Sequence, residues 1–228
     1  MKDYEALVIL GRSVGKNKKG EWVPSAYFGR MLNKRPVPHS GVYDNQLNPR
    51  ERGVMVAGGN TCVLAAAHLL KESPGIKTVI FAAGRPPYIV QASDNPDFSE
   101  GSVLEQKLLH KLALSNVPRP DTVVLGQDQY TMDDMVNSMA VVRARGLKEI
   151  AYLTVRVHIK RSQAFLDEKV PASAKAGLDI DFLAAEDILE DVDPRYKEIF
   201  KKARATPAYR RTSFYEGRGT RALKAGNY

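Results

Sequence analysis

Hydrophobic positions along this chain follow two rhythms. Five short runs are almost continuously apolar and rich in Val, Ile and Tyr: EALVIL (5–10), KTVIFAAG (77–84), DTVVLG (121–126), EIAYLTV (149–155) and LDIDFLA (178–184). Such runs, bounded by Gly, Pro or polar residues, predict strands covered on both faces. Between them the apolar positions take a helical spacing. TCVLAAAHLLKE (61–72) consists mostly of helix formers, and SEGSVLEQKLLHKLAL (99–114) places Val103, Leu104, Leu108 and Leu112 on one stripe. TMDDMVNSMAVVRARG (131–146) reads as a helix with Thr131 as N-cap, acids in its first turn, and Arg143, Arg145 and a C′ Gly146 at its end. HIKRSQAFLDE (158–168) predicts a shorter helix.

Alternation of strand and helix predicts an α/β domain with helices on both faces of a mostly parallel five-stranded sheet, spanning residues 1–193. Two segments fall outside the alternation. Residues 12–52, rich in Gly, Pro, Asn and Lys, form a long loop or hairpin excursion after the first strand, a length that usually marks a functional or mobile segment. Residues 194–228 form a basic extension: a helix, RYKEIFKKARA, followed by an irregular Tyr/Arg/Gly end.

Charge sharpens this division. The chain of 228 residues carries a net charge of +8, yet residues 195–228 hold ten Lys/Arg against Glu198 and Glu216. The other 194 residues carry 24 charges of each sign, so the basicity belongs to the extension. The single cysteine, Cys62, excludes an internal disulfide and argues against a thiolate metal cluster. The apolar stretch near the N-terminus is about six residues, too short for a signal peptide, and reads as the first strand. With no export signal and no long apolar run, the expected location is the cytoplasm, away from the membrane.

In open parallel sheets, ligands sit beyond the carboxyl ends of the strands. Candidates there are Gly11, Arg12 and Ser13 after the first strand, Gly84 and Arg85 after the second, and Ser99 and Glu100 at the helix start that follows. Asp128, Thr131 and Asp133 follow the third strand, and Thr154, Arg156, His158 and Arg161 follow the fourth. Gly11 and Gly84 serve either as tight exits or as close approaches to a ligand. Ser99 and Thr131 suit helix caps equally well. AGGNT (57–61) offers free helix-start amides to a phosphate, although it lacks the residues of a complete P-loop. Four basic side chains, Arg156, His158, Lys160 and Arg161, crowd one strand end, which suggests an anion there. No metal-ligand spacing joins His39, His68, His110 and His158, and no GxSxG elbow occurs.

The order of these motifs resembles the YdcF-like family, whose relatives include the SanA and ElyC envelope proteins. The matching stretches are FAAG followed by SEGSVLEQKLL, then DQYTMDDMVNS, then LTVRVHIKRSQAF, covering roughly residues 5–185. Thr154, His158 and Arg161 fall in register with a family T-x-x-x-H-x-x-R pattern, Glu100 with its S-E-A glutamate, and Thr131 with Asp133 on its T-x-E pair. AAG stands where the family has SGG, Asp134 where it has Asn, and Arg156 where it has a small or polar residue. The resemblance implies a Rossmann-like three-layer domain with a polar crevice, and S-adenosylmethionine as one ligand known in the family.

The expectation is a protein binding an anionic, nucleotide-like small molecule, with hydrolase or group-transferase chemistry. Arg156 and Arg161 would hold a phosphate or carboxylate. His158 would act as general acid or base, and Glu100 and Asp128 would orient a hydroxyl or water; metal dependence through Glu100, Asp128 and Asp133 stays open. The alternative is a nucleic-acid-binding protein acting through the extension, where Tyr196, Phe200, Tyr209, Phe214 and Tyr215 interleave with basic residues. A solvated helix packed on the domain, and a homo-oligomer interface, are the other roles open to it.

Overall fold

The computed structural model describes residues 2–26, 30–32, 35–37, 56–128 and 130–227. The strands are β1 (Ala6–Leu10), β2 (Val14–Lys16), β3 (Trp22–Pro24), β4 (Arg30–Leu32), β5 (Arg35–Val37), β6 (Thr78–Ala82), β7 (Asp121–Val124), β8 (Glu149–Thr154) and β9 (Asp179–Ala184). The helices are α1 (Gly59–Glu72), α2 (Pro87–Ala92), α3 (Glu100–Leu114), α4 (Thr131–Ala144), α5 (Arg156–Lys169), α6 (Ala172–Lys175), α7 (Ala185–Val192), α8 (Arg195–Arg204) and α9 (Pro207–Lys224).

All five expected strands form one parallel sheet in the order β7–β6–β1–β8–β9. The chain thus builds outward in one direction from β1 and then returns to β1's other side with β8. That reversal is a Rossmann-like switch point, and it lies between the carboxyl ends of β1 and β8.

The strand side chains alternate between two cores. Leu7, Ile9, Val79, Phe81 and Leu153 pack with Cys62, Ala66 and Leu69 of α1, Leu104 and Leu108 of α3, and Leu189 of α7. Val8, Leu10, Ile80 and Tyr152 face Met135, Met139 and Val142 of α4 and Phe165 of α5. Every β1 residue is buried, at about 1.5–3 kcal/mol for each large aliphatic side chain. The Tyr152 hydroxyl reaches Ser138 Oγ at 3.0 Å, so the one polar tip in that core is satisfied. Among the described residues, no helix is long and apolar enough to cross a membrane.

The excursion after β1 begins with an antiparallel hairpin, β2–β3, followed by a second, β4–β5. Residues 38–52 of the expected excursion lie outside the described residues.

The largest correction concerns the extension. Its expected irregular end is the 18-residue helix α9, capped by the Thr206 hydroxyl, which accepts from Tyr209 N at 3.2 Å. Pro207 occupies the first helical turn, where its missing N–H costs nothing. Gly217 and Gly219 suggest a break, but α9 packs along α5 and tertiary contacts outweigh their weak propensity. Leu223 joins one core, and Phe200, Ala203 and Ala208 join the other.

Candidate functional site

The β1 exit is fixed from several sides. Gly11 has no room for a side chain, because a Cβ there would lie 2.6 Å from Glu100 Oε2. Ser13 adopts a left-handed φ of 76°, which costs a non-glycine residue roughly 1–2 kcal/mol. Its N–H donates to Glu100 Oε2 at 3.1 Å, its hydroxyl meets Ser25 Oγ at 3.0 Å, and its carbonyl accepts from Ser25 N at 3.0 Å. Glu100 also accepts a hydrogen bond from Tyr88 Oη. Burial pushes the Glu100 carboxyl above its usual value, while Tyr88, the Ser13 amide and Arg12 pull the other way. Glu100 therefore anchors the exit loop of β1 from beneath.

The AGGNT amides are not offered to a phosphate. Gly58 N and Gly59 N donate to the Arg12 carbonyl at 3.2 and 3.1 Å, and Asn60 N donates to Ser25 O at 2.9 Å. Backbone carbonyls consume the helix-start donors that the sequence left open.

The Arg12 side chain turns toward the switch point, where one carboxylate gathers three partners. Arg12 Nη1 donates to Glu216 Oε1 at 2.9 Å, His158 Nδ1 lies 3.0 Å from Glu216 Oε2, and Arg161 Nη1 reaches the same oxygen at 3.5 Å. Arg12 Nη2 also donates to Val56 O at 3.2 Å. Glu216 comes from α9, and Thr212 one turn earlier accepts the Val56 amide at 2.8 Å. The anion that the basic residues suggested is thus present within the chain itself.

Burial alone would raise the Glu216 carboxyl, but the neighbouring His158, Arg12 and Arg161 overcome it and hold the group well below its usual range. Burial pushes the His158 imidazole down, Glu216 opposes that, and the two guanidiniums reinforce it. A neutral imidazole donating Nδ1–H to Glu216 leaves Nε2 as an acceptor, which is the arrangement of an oriented general base.

Arg156 does not join this cluster, a correction to the expected anion pair. α5 starts at Arg156, two residues earlier than expected, and that residue's amide donates to Glu186 Oε2 at 2.7 Å. Its guanidinium pairs with Asp187 and, at 3.6 Å, with Glu190 of α7. Thr154 is fully buried, and its hydroxyl has no hydrogen-bond partner among the described residues.

At the β6 and β7 exits the charges are acidic. A Cβ on Gly84 would sit 1.8 Å from Asp128 O, and Arg85 N donates to that same carbonyl at 2.5 Å. The close approach expected at Gly84 is therefore to the Asp128 backbone rather than to a ligand. Arg85 Nη2 folds back onto Ser93 O at 2.7 Å. Ser99 caps α3 in a reciprocal box with Ser102, at 3.1 and 3.0 Å, so it serves the helix.

The N-cap of α4 is Tyr130, not Thr131; Asp133 Oδ2 accepts the Tyr130 amide at 3.3 Å. Asp128 Oδ1 accepts from Asn137 Nδ2 at 2.6 Å. Burial raises the Asp128 carboxyl above its usual value, against the Asn137 bond and with help from Asp133. Asp134, buried next to them, is raised well above its own by burial and by Asp128, Glu100 and Asp133, despite the Gly84 amide. Glu100, Asp128 and Asp133 do not come together as a metal cage: among the described residues, no three His, Cys, Asp or Glu side chains are grouped to hold an ion.

Sequence reasoning missed Glu216 as a site residue and placed Asp134 only at the helix start after the third strand. Glu216 carried a signal nonetheless, being the one acid within residues 199–228. Comparison with protein-family models, curated proteins and solved structures finds no match for this chain.

Proposed function

We propose that this chain is a YdcF-like protein that binds an anionic, nucleotide-like small molecule in the switch-point crevice between β1 and β8, with hydrolase or group-transfer chemistry. The observation that carries this reading is the convergence of Arg12, His158 and Arg161 on one carboxylate beyond the strand ends. Guanidiniums that grip a carboxylate suit the carboxylate or phosphate of a ligand equally well. The ligand's anionic group competes with Glu216 for them, so binding moves Glu216 aside or seats the ligand against the outer edge of Arg161, the more exposed of the two arginines. His158 serves as the base, and Glu100 holds the Arg12–Ser13 loop in place. S-adenosylmethionine is one such ligand: Arg12 and Arg161 would hold its carboxylate.

A thermal-shift screen of the full chain against S-adenosylmethionine, AMP, ATP and a uridine diphosphate sugar tests the reading. A ligand at 100 times its dissociation constant adds about 2.7 kcal/mol, roughly 5–10 °C for a chain of this size. Arg161→Ala should abolish the shift and Arg156→Ala should leave it intact. No shift from any of these compounds, or a shift that survives Arg161→Ala, removes the crevice from consideration.

A further inference from the structure

The two faces of α9 are chemically opposite. Ala208, Thr212, Glu216 and Leu223 are buried against the domain. Arg210, Phe214, Arg218, Arg221 and Lys224 are exposed, and at 3.6 residues per turn they share the opposite side of the helix. Arg210 to Arg221 spans about 16 Å along the axis. Of the two acids in residues 195–228, Glu216 is turned inward onto Arg12, His158 and Arg161, so none lies on this outer stripe. Arg210, Arg218 and Arg221 make no ion pair among the described residues.

In the middle of the stripe stands Phe214, 59% exposed, with its ring edge-on to Tyr215 at 5.5 Å. Water gives a phenyl ring no reason to stand among arginines, but an unpaired base does: it stacks on the ring while the cations take the flanking phosphates. Three other aromatics of the extension turn toward the domain instead. Phe200 is buried, and Tyr196 and Tyr209 pack against the core.

We infer that the outer face of α9 binds single-stranded nucleic acid, with Phe214 as a stacking platform and Arg210, Arg218, Arg221 and Lys224 along the backbone. The surface is separate from the crevice, so each can fail without the other.

The test is fluorescence anisotropy of the full chain with a labelled 20-mer of thymidylate, titrated at several salt concentrations. Four phosphate contacts predict a slope of log affinity against log salt of about −3, roughly −0.7 for each contact on a single strand. Arg218→Glu with Arg221→Glu should weaken binding at least tenfold. Phe214→Ala should weaken it about fivefold or more, the smaller end of what base stacking contributes, while leaving heparin binding unchanged. All these side chains are exposed, and unchanged melting temperatures confirm the fold. Absence of salt-dependent binding, or binding indifferent to the charge reversal, overturns the inference. Equal oligonucleotide affinity of the Phe214→Ala variant also overturns it, leaving a surface for polyanions in general.

Discussion

The two sides of the strand-end crevice solve opposite electrostatic problems. Near β1 and β8, Arg12, His158 and Arg161 surround a single carboxylate, and the ionised form of Glu216 is strongly favoured. Near β6 and β7, Glu100, Asp128 and Asp134 are buried with no guanidinium pointed at them comparable to that on Glu216, and all three are pushed toward their neutral forms. Asp128 Oδ2 and Asp134 Oδ1 are buried with no hydrogen-bond partner among the described residues. One side is an ionic knot that ties the last helix to the first strand's exit. The other buries carboxyls whose ionised forms the fold disfavours.

The comparison breaks first at the charged residues themselves. Replacing Glu216 with Gln leaves Arg12 buried without its counter-charge, a change that typically costs about 3–5 kcal/mol and lowers the melting temperature by roughly 10 °C in a chain of this size. Asp134→Asn should do the reverse near pH 8 and stabilise, since it removes a carboxyl whose ionised form the fold disfavours.

The pH dependence separates the two further. Glu216 and His158 bind protons more weakly folded than unfolded, so their stabilisation is complete above the unfolded value of 6.5 for the histidine and 4.5 for the glutamate. It is lost as pH falls through the folded values. Asp134 binds its proton more tightly when folded, so its stabilisation is complete below the unfolded value of 3.8 and is lost as pH rises through the folded one. Urea midpoints from pH 8 down to pH 4 should therefore show Glu216→Gln below the wild type throughout, because the glutamate's window lies below 4.5, and Asp134→Asn above it by a difference that shrinks toward acid. Two curves of the same sign would mean that the two sides are not electrostatically distinct.

The same contrast governs what the sequence revealed. Parallel strands buried on both faces leave continuous apolar runs, and all five were legible from β-branched residues and their punctuation. The Ser99 cap and the left-handed Gly146 (φ 66°) were equally local. His158, Arg161 and Arg12 were legible as candidates because topology dictates which strand ends matter. Glu216 was not, because its role depends on a docking 55 residues beyond Arg161 along the chain, by a helix whose proline and glycines imitate a loop. Arg156 misled for a related reason: spacing cannot say that α7 brings Asp187 and Glu190 alongside it. Local chemistry could be read from the sequence, whereas pairing at long range could not.

A smaller effect tests how rigid each side is. Gly84→Ala drives a methyl group into the Asp128 carbonyl, which belongs to the backbone and cannot swing away. Overpacking of this kind costs about 1–3 kcal/mol, and the resulting shift of the Asp128 backbone should disturb the Asn137 contact as well. Gly219→Ala, on the basic side, places its methyl 3.2 Å from Arg161 Nε, near the far end of a flexible side chain. There the guanidinium can yield by a few tenths of an ångström while α9 gains up to about 1 kcal/mol of helix propensity. The melting temperature should hold or rise by a few degrees. A fall as large as that of Gly84→Ala would mean that Arg161 is clamped as tightly as backbone, and that the crevice cannot open by moving that side chain.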